Sequence, residues 1–412
     1  GERNVAIGAE ALGHNTTASA NTAVGYKALF TNTTGTTNVA VGQDALRYNT
    51  TASNNTAVGL SALKANITGA ENTALGTNAL KDNTTGTSNT AVGYAALQNL
   101  TTGGSNVALG FQALRDSTTG SSNIAIGQNA LVYNSSGANN VGVGQNACFN
   151  TTTGTTNVGI GSNALLSNTT GDRNVAVGFN SLDACTTGAL NTGVGADSLS
   201  ALTTGGYNVA VGDDALGAVT TPNRNTGIGL AAGREITTGA FNTAVGSAAM
   251  GGATAITGSA NIAIGSWQDG VIEGPLGSLS SGNSNVAMGN GALRALTTGA
   301  QNVAIGHGCG NNIIVGDTNT FIGYNIVIGN TATDATVAIG SNFTSAGSNN
   351  VRIGTAAGTA TLTLDGSDTS WAAASDERLK KDIVNSTVGL SFINNLRPVT
   401  FKWNAKNAVA ST

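Results

Sequence analysis

The sequence predicts an all-β chain: a β-solenoid of 17-residue coils over residues 1–354, its coils expected to associate in threes. Three observations lead there. An Asn followed four residues later by Gly returns every 17 residues from Asn4 to Asn242 without a slip, and a fixed period of that kind fixes an architecture more firmly than local propensity does. Each coil opens with an alternating stretch such as Asn21-Thr22-Ala23-Val24-Gly25, which is strand periodicity. The middle residue of that stretch is Ala or Gly in every regular coil, from Ala6 to Ala244.

The consensus reads N-[TV]-A-[VI]-G-x-x-A-L-x-x-N-T-T-G-x-x. Seventeen residues trace roughly 55 Å when extended, which suits one circuit of a solenoid. The opening three residues after Asn form the strand. The Ala-Leu pair turns inward, and Asn-Thr-Thr-Gly, as in Asn32-Thr33-Thr34-Gly35, supplies turn chemistry. Stacked coils place equivalent residues about 4.8 Å apart. The Leu row (Leu12, Leu29, Leu46) and the Val/Ile row (Ile7, Val24, Val41) are therefore expected to fill the core. The Asn row is expected to form an amide ladder or to cap the preceding turn.

Two kinds of glycine are distinguished. The one closing each strand never varies in the regular coils, so it should need positive φ or close backbone approach. The one after Thr-Thr is replaced by Ala18, Ala52 and Pro222, and Pro fixes φ near −65°, so positive φ is not required there. Persistent smallness of the middle strand residue implies tight packing. On the expectation that this face points out of the single coil, it predicts three chains meeting on their Ala/Gly rows, with Phe321 marking where close packing ends.

Composition narrows the class. The 412 residues hold 59 Gly, 3 Pro, 9% charged and 4% aromatic residues at a net charge of −4, with 40% hydrophobic residues. This argues against a nucleic-acid partner and against disorder. No apolar run reaches the roughly 18 residues of a membrane span, so no membrane insertion is expected. Cys148 and Cys309 replace a consensus Leu and Ala and read as buried thiols, while Cys185 sits at the variable Asn position. No cofactor or metal is predicted: calcium-binding G-G-x-G-x-D repeats are absent.

The regular period covers 4–258; an enlarged coil occupies about 261–284, degenerate coils lie within 302–354, and 355–374 reads as a β-rich neck. Gly1 falls in mid-coil, so the chain is expected to be part of a longer one. In the enlarged coil, Trp267, Gln268 and Asp269 mark a loop that could bind a sugar, since Trp stacks on sugar rings; a loop packed on its own apolar residues is the alternative. Arg47, Lys64, Lys81 and Arg115 share one row. That stripe suits anionic surface sugars or simply a solvated face.

Two resemblances follow. N-V-A-I-G at 4–8 and N-I-A-I-G at 261–265 resemble the head repeat of trimeric autotransporter adhesins, whose heads are trimers of β-solenoids. At the other end, "SDERLKKDI" at 375–383 and "INNLRPVTFKWN" at 393–404 resemble the start of the autocleaving intramolecular chaperone of phage tailspikes, tail fibres and endosialidases. That resemblance makes 375–412 the first part of an α/β or helical chaperone domain. It implies a cut between Ala374 and Ser375, with Ser375 as nucleophile, Lys380 as base, and Asp376 and Arg378 in support. An amphipathic helix with a solvated basic face is the alternative. Residues 375–412 are too few for a complete chaperone, so cleavage in this chain is expected to be slow or absent.

The function expected is a trimeric fibre: a phage tail-fibre shaft on the virion, engaging a host cell-surface glycan or protein and other virion tail proteins, with a self-cleaving trimerisation chaperone. Two alternatives remain open, a bacterial trimeric surface adhesin and a tailspike that depolymerises polysaccharide. The 21 carboxylates form no motif pair for the latter.

Overall fold

The computed structural model describes residues 1–252, 254–266, 274–345 and 347–363, and further on the two-residue strand Ala372–Ala373. The chain divides into two units, Gly1–Trp371 and Ala372–Thr412. Among the described residues every regular element is a strand, and the first unit is a β-solenoid built of 17-residue coils.

Three-residue strands, from β1 (Val5–Ile7) to β18 (Val303–Ile305), stack in parallel, one per coil. Each step of the register advances one coil: Val5 lies opposite Thr22, Ala6 opposite Ala23, Ile7 opposite Val24. The enlarged region keeps this order, with Thr243 paired to Ile262 and Ile262 to Val286, so the strand register continues across it. Outside the strand each coil is a chain of turns, yet its backbone still bonds to its neighbours. The N–H of Leu29 donates to Ala45 (3.0 Å), that of Thr31 to Arg47 (3.0 Å), and that of Thr33 to Thr50 (2.9 Å). Irregular backbone can be packed in the interior because those polar groups are paired.

Ala23, Ala28 and Leu29 and their equivalents in successive coils make one continuous buried core. The Leu row is inside, as the consensus predicts. The two other rows are reversed. The Val/Ile row lies on the outer face of the strand: Val24 and Val41 are only half-buried and Ile126 and Ile160 are exposed. The Ala/Gly row points inward, fully buried from Ala23 onward, so its smallness reflects packing within one chain.

The reason is the narrowness of the coil. The Leu of the preceding coil reaches under the strand, and a Cβ added at Gly142 would meet Leu131 Cγ at 3.2 Å, while one at Gly227 would meet Leu216 Cγ at 2.8 Å. Ala is the largest residue that fits over Leu. Phe321 obeys the same rule, since it too is fully buried and does not end the close packing. Its ring takes the space left where Gly310 replaces the consensus Leu one coil earlier; a Cβ on Gly310 would sit 2.7 Å from the Phe321 Cδ2.

The strand-closing glycine behaves as expected. Gly25 has φ 131°, and a Cβ there would meet the Gly42 carbonyl oxygen at 2.6 Å. The glycine after Thr-Thr, as at Gly35, is absent from the positive-φ set. Two turns that share residues follow each strand. Ala45 N–H donates to Gly42 and Arg47 N–H to Asp44, each at 3.3 Å. Their third residues, Asp44 and Leu46, have φ 58° and 49°, the region a type II turn needs there. Positive φ at Leu is costly, by about 1–2 kcal/mol. Leu46 is held in it by complete burial and by its N–H bond to Ala62 (3.0 Å).

Both Asn rows form ladders. In the strand-opening row, Asn21 Nδ2 donates to Gly35 (2.9 Å) and its Oδ1 accepts the N–H of Asn38 (2.9 Å), so the side chain caps the turn and bridges coils at once. In the turn row, Asn49 Nδ2 donates to Asn32 Oδ1 and Asn66 Nδ2 to Asn49 Oδ1, both at 2.9 Å. That second ladder stops where Leu100 follows Asn83, and Asn83 Oδ1 is left buried without a partner.

Toward the end of the unit the strands lengthen, in β19 (Thr320–Ile328) and β20 (Val337–Ser345). β21 (Asn350–Thr355) continues in parallel, and β22 (Gly358–Thr363) pairs with it antiparallel. That last hairpin covers the edge of the stack, which an open parallel sheet would leave unpaired.

Candidate functional site

The strand's alternation fixes what the solenoid offers to its surroundings. With the middle residue inside, the first and last residues of every strand stand outward on one long face. The last residue is Ile, Val, Leu or Met in each coil from Ile7 to Ile353, and none of these side chains is buried. The first is Val, Ile or Thr, and no charged residue occurs in either row. Just past the strand-closing glycine, Tyr26, Leu60, Tyr94, Phe111, Phe179 and Leu230 are also exposed. Tyr94 and Phe111 stack with ring centroids 5.4 Å apart.

The basic stripe is a neutralised surface. Arg47 and Lys64 both bond to Asp44, at 3.2 and 3.3 Å, Lys81 lies 3.7 Å from Asp82, and Arg115 pairs with Asp116. Carboxylates on the neighbouring rows supply the partners, so a solvated face describes this stripe better than an anion site. Sequence reading missed a different cluster: Arg224 lies between Tyr207 and Phe241, 5.4 and 5.3 Å from their ring centroids. Its signal was available, because all three fall at the same coil position.

The Thr-Thr pair does not extend, and its members serve different ends. Thr33 Oγ1 donates to the Thr50 carbonyl at 3.0 Å, while Thr34 is exposed. The cysteines are all buried and free. Burial pushes the Cys148 thiol up to about 12 and the Cys185 thiol up to about 11, and Cys309 moves in the same direction for the same reason. Such thiols are packing groups and not nucleophiles. Asp183 is half-buried, and loss of solvent holds its carboxyl above the ordinary value.

Trp267, Gln268 and Asp269 lie outside the described residues, and so do Ala374, Ser375, Asp376, Arg378 and Lys380. The C-terminal segment is placed by comparison with known proteins instead. Residues 375–411 match the family described as the chaperone of endosialidase. The match begins at Ser375, the residue that the sequence motif singles out. No curated protein and no solved structure matches the chain. A β-solenoid shaft followed by an endosialidase chaperone segment fits a structural protein of the tail-fibre or tailspike type.

Proposed function

We propose that this chain is the shaft of a trimeric phage tail fibre that takes part in host attachment, carried on the virion and completed by a C-terminal chaperone that releases itself. The observation that carries the reading is the junction of the two parts: a stack of near-identical coils leads into a segment matching the chaperone of endosialidase from Ser375 onward. A shaft of this kind has a register problem. Three copies with one 17-residue period can pair one or several coils out of step with little loss of contact, and such slips would be trapped by the contacts that hold the correct assembly. A terminal trimeriser sets the register before the coils zip. Its removal afterwards leaves a fibre that cannot readily retrace its folding path.

Self-release would proceed by attack of the Ser375 hydroxyl oxygen on the carbonyl carbon of Ala374, with Lys380 taking the hydroxyl proton. The peptide C–N bond breaks as the Ser375 amine leaves with a proton, and an ester joins Ala374 to Ser375. Water then hydrolyses that ester, giving an Ala374 carboxylate and a free Ser375. Lysine must be neutral to act as the base, so its surroundings should lower its pKa. Asp376 and Arg378 would hold the loop.

The test uses a chain carrying a complete chaperone. Intact-mass analysis should find release of a fragment beginning at Ser375, and the Ser375→Ala and Lys380→Ala chains should stay whole while still assembling. Efficient cutting of the Ser375→Ala chain would remove the mechanism. Light scattering of the assembled shaft should give three chains, in a rod of about 100 Å if about twenty-one coils stack at 4.8 Å. A shortened capsular polysaccharide after incubation with the trimer would turn the reading toward a depolymerising tailspike. A gene for the complete protein that also encodes a membrane-anchor barrel would turn it toward a bacterial adhesin.

A further inference from the structure

The outer face of the strand is a surface unlike the rest of the solenoid. Its last-residue row never admits a polar side chain: Ile7, Val24, Val41, Val58, Leu75 and Val92 open a series that stays aliphatic to Ile353. The first-residue row beside it does admit Thr, as at Thr22, Thr56, Thr73 and Thr90. Both rows are outward and neither is buried, so exclusion of Thr from only one of them is not a demand of the solenoid's own interior. Water would tolerate Thr equally in both. Charges, by contrast, are common at the corners, in Lys27, Asp44, Arg47, Lys64 and Asp82.

We infer that this face is covered by the same face of further copies of the chain, parallel and in register, with the aliphatic row at the shared axis and the Thr-bearing row at its margin. Three physical arguments select that occupant. Each coil presents one open aliphatic side chain, 39% exposed at Ile126 and 40% at Ile160. Unbroken over about twenty coils, the row amounts to on the order of 1,000 Å², beyond the few hundred Å² usual for an open apolar patch. A partner covering the whole row must repeat every ~4.8 Å over some twenty coils, and a second copy does so by construction. Rotation about an axis along the solenoid brings equivalent residues together, so every coil meets its own counterpart.

This inference rests on the proposed fibre for the need to set several copies side by side, and it replaces the Ala/Gly row as the place where they meet. It can be separated from that reading by experiment. In the full chain with its chaperone, Val143→Cys places a thiol on the row, and Thr153→Cys places one on the exposed turn away from it. The native cysteines are buried and unreactive. A short bis-maleimide should join chains through residue 143 and leave the Thr153→Cys protein uncrosslinked. The double variant Val143→Lys, Val177→Lys should weaken association tenfold or more, with unchanged β-sheet circular dichroism, while Thr153→Lys should not. Multi-chain particles that crosslink at 153, or that fail to crosslink at 143, would overturn this interface while leaving the fibre standing. A monomer that persists at high micromolar concentration with its chaperone present would overturn both.

Discussion

The side-chain oxygen of Asn72 accepts the backbone N–H of Asn89, one coil further along, at 3.0 Å. Asn89 repeats the pattern: its Oδ1 accepts the N–H of Asn106 at 3.0 Å and its Nδ2 donates to the Gly103 carbonyl at 3.0 Å. Both Asn89 and Asn106 are fully buried. Asn89→Ala therefore removes an acceptor and a donor from buried backbone groups, each of which costs about 1–3 kcal/mol to leave unmade. Unfolding in urea should show a loss of about 2–6 kcal/mol. Because a solenoid's stability is a sum of coil and neighbour terms, hydrogen exchange should speed up at Asn106 and scarcely change ten coils away.

Ala91 separates the two assignments of the small-residue row. It is fully buried and paired to Ala74 and Ala108, so Ala91→Leu overfills the chain's own core, at about 1–3 kcal/mol. The expected result is a lowered unfolding midpoint with the association face left chemically unchanged. An unaltered midpoint combined with lost association would restore the row to the surface.

Asp183 should make stability depend on pH. Desolvation raises its carboxyl above the ordinary 3.8, and its Oδ1 is buried with no hydrogen-bond partner. A carboxyl with a raised folded pKa releases its proton more readily in the unfolded chain, so stability falls as pH rises from the unfolded value through the folded one. At pH 7 Asp183→Asn should therefore be more stable than the parent, and the difference should vanish by pH 3. Thermal melts across that range would show it; a gap that stays constant with pH would rule out the carboxylate as its source.

The three thiols should be silent in the native protein. With Cys148 at about 12 and Cys185 at about 11, almost no thiolate exists at pH 8, and none of the three is open to solvent. Mass spectrometry after maleimide treatment should find no adduct on the folded chain and three after denaturation. Modification of Cys148 before unfolding would mean that the coil around it opens.

Much of the coil could be read from the repeat because a solenoid turns sequence identity directly into spatial rows. The buried Leu46, the cross-coil bonding of Asn38 and the positive φ of Gly25 each follow from a residue type that recurs where only one role suits it. The positive φ at Leu46 was not legible. Asn or Asp, which tolerate that region, recur at the position of Asp44, as in Asn78 and Asp214, but Leu does not favour it, and only the closed turn and its bond to the next coil hold Leu46 there. The enlarged coil and the C-terminal segment were legible only as motifs, and the match to the chaperone of endosialidase covers 375–411.

By itself the sequence determined the period, the single strand per coil, the Leu core and a structural role for the strand-opening Asn row, since each depends only on what recurs every 17 residues. The tertiary structure alone decided which side of Thr22-Ala23-Val24 is the inside. Alternation puts Ala23 opposite Val24 but is symmetric between the two faces, and hydrophobicity would send the larger Val inward. The closed coil breaks the symmetry: a single Leu already fills its width, so the interior accepts only Ala or Gly beneath the strand, and the aliphatic row is left outside.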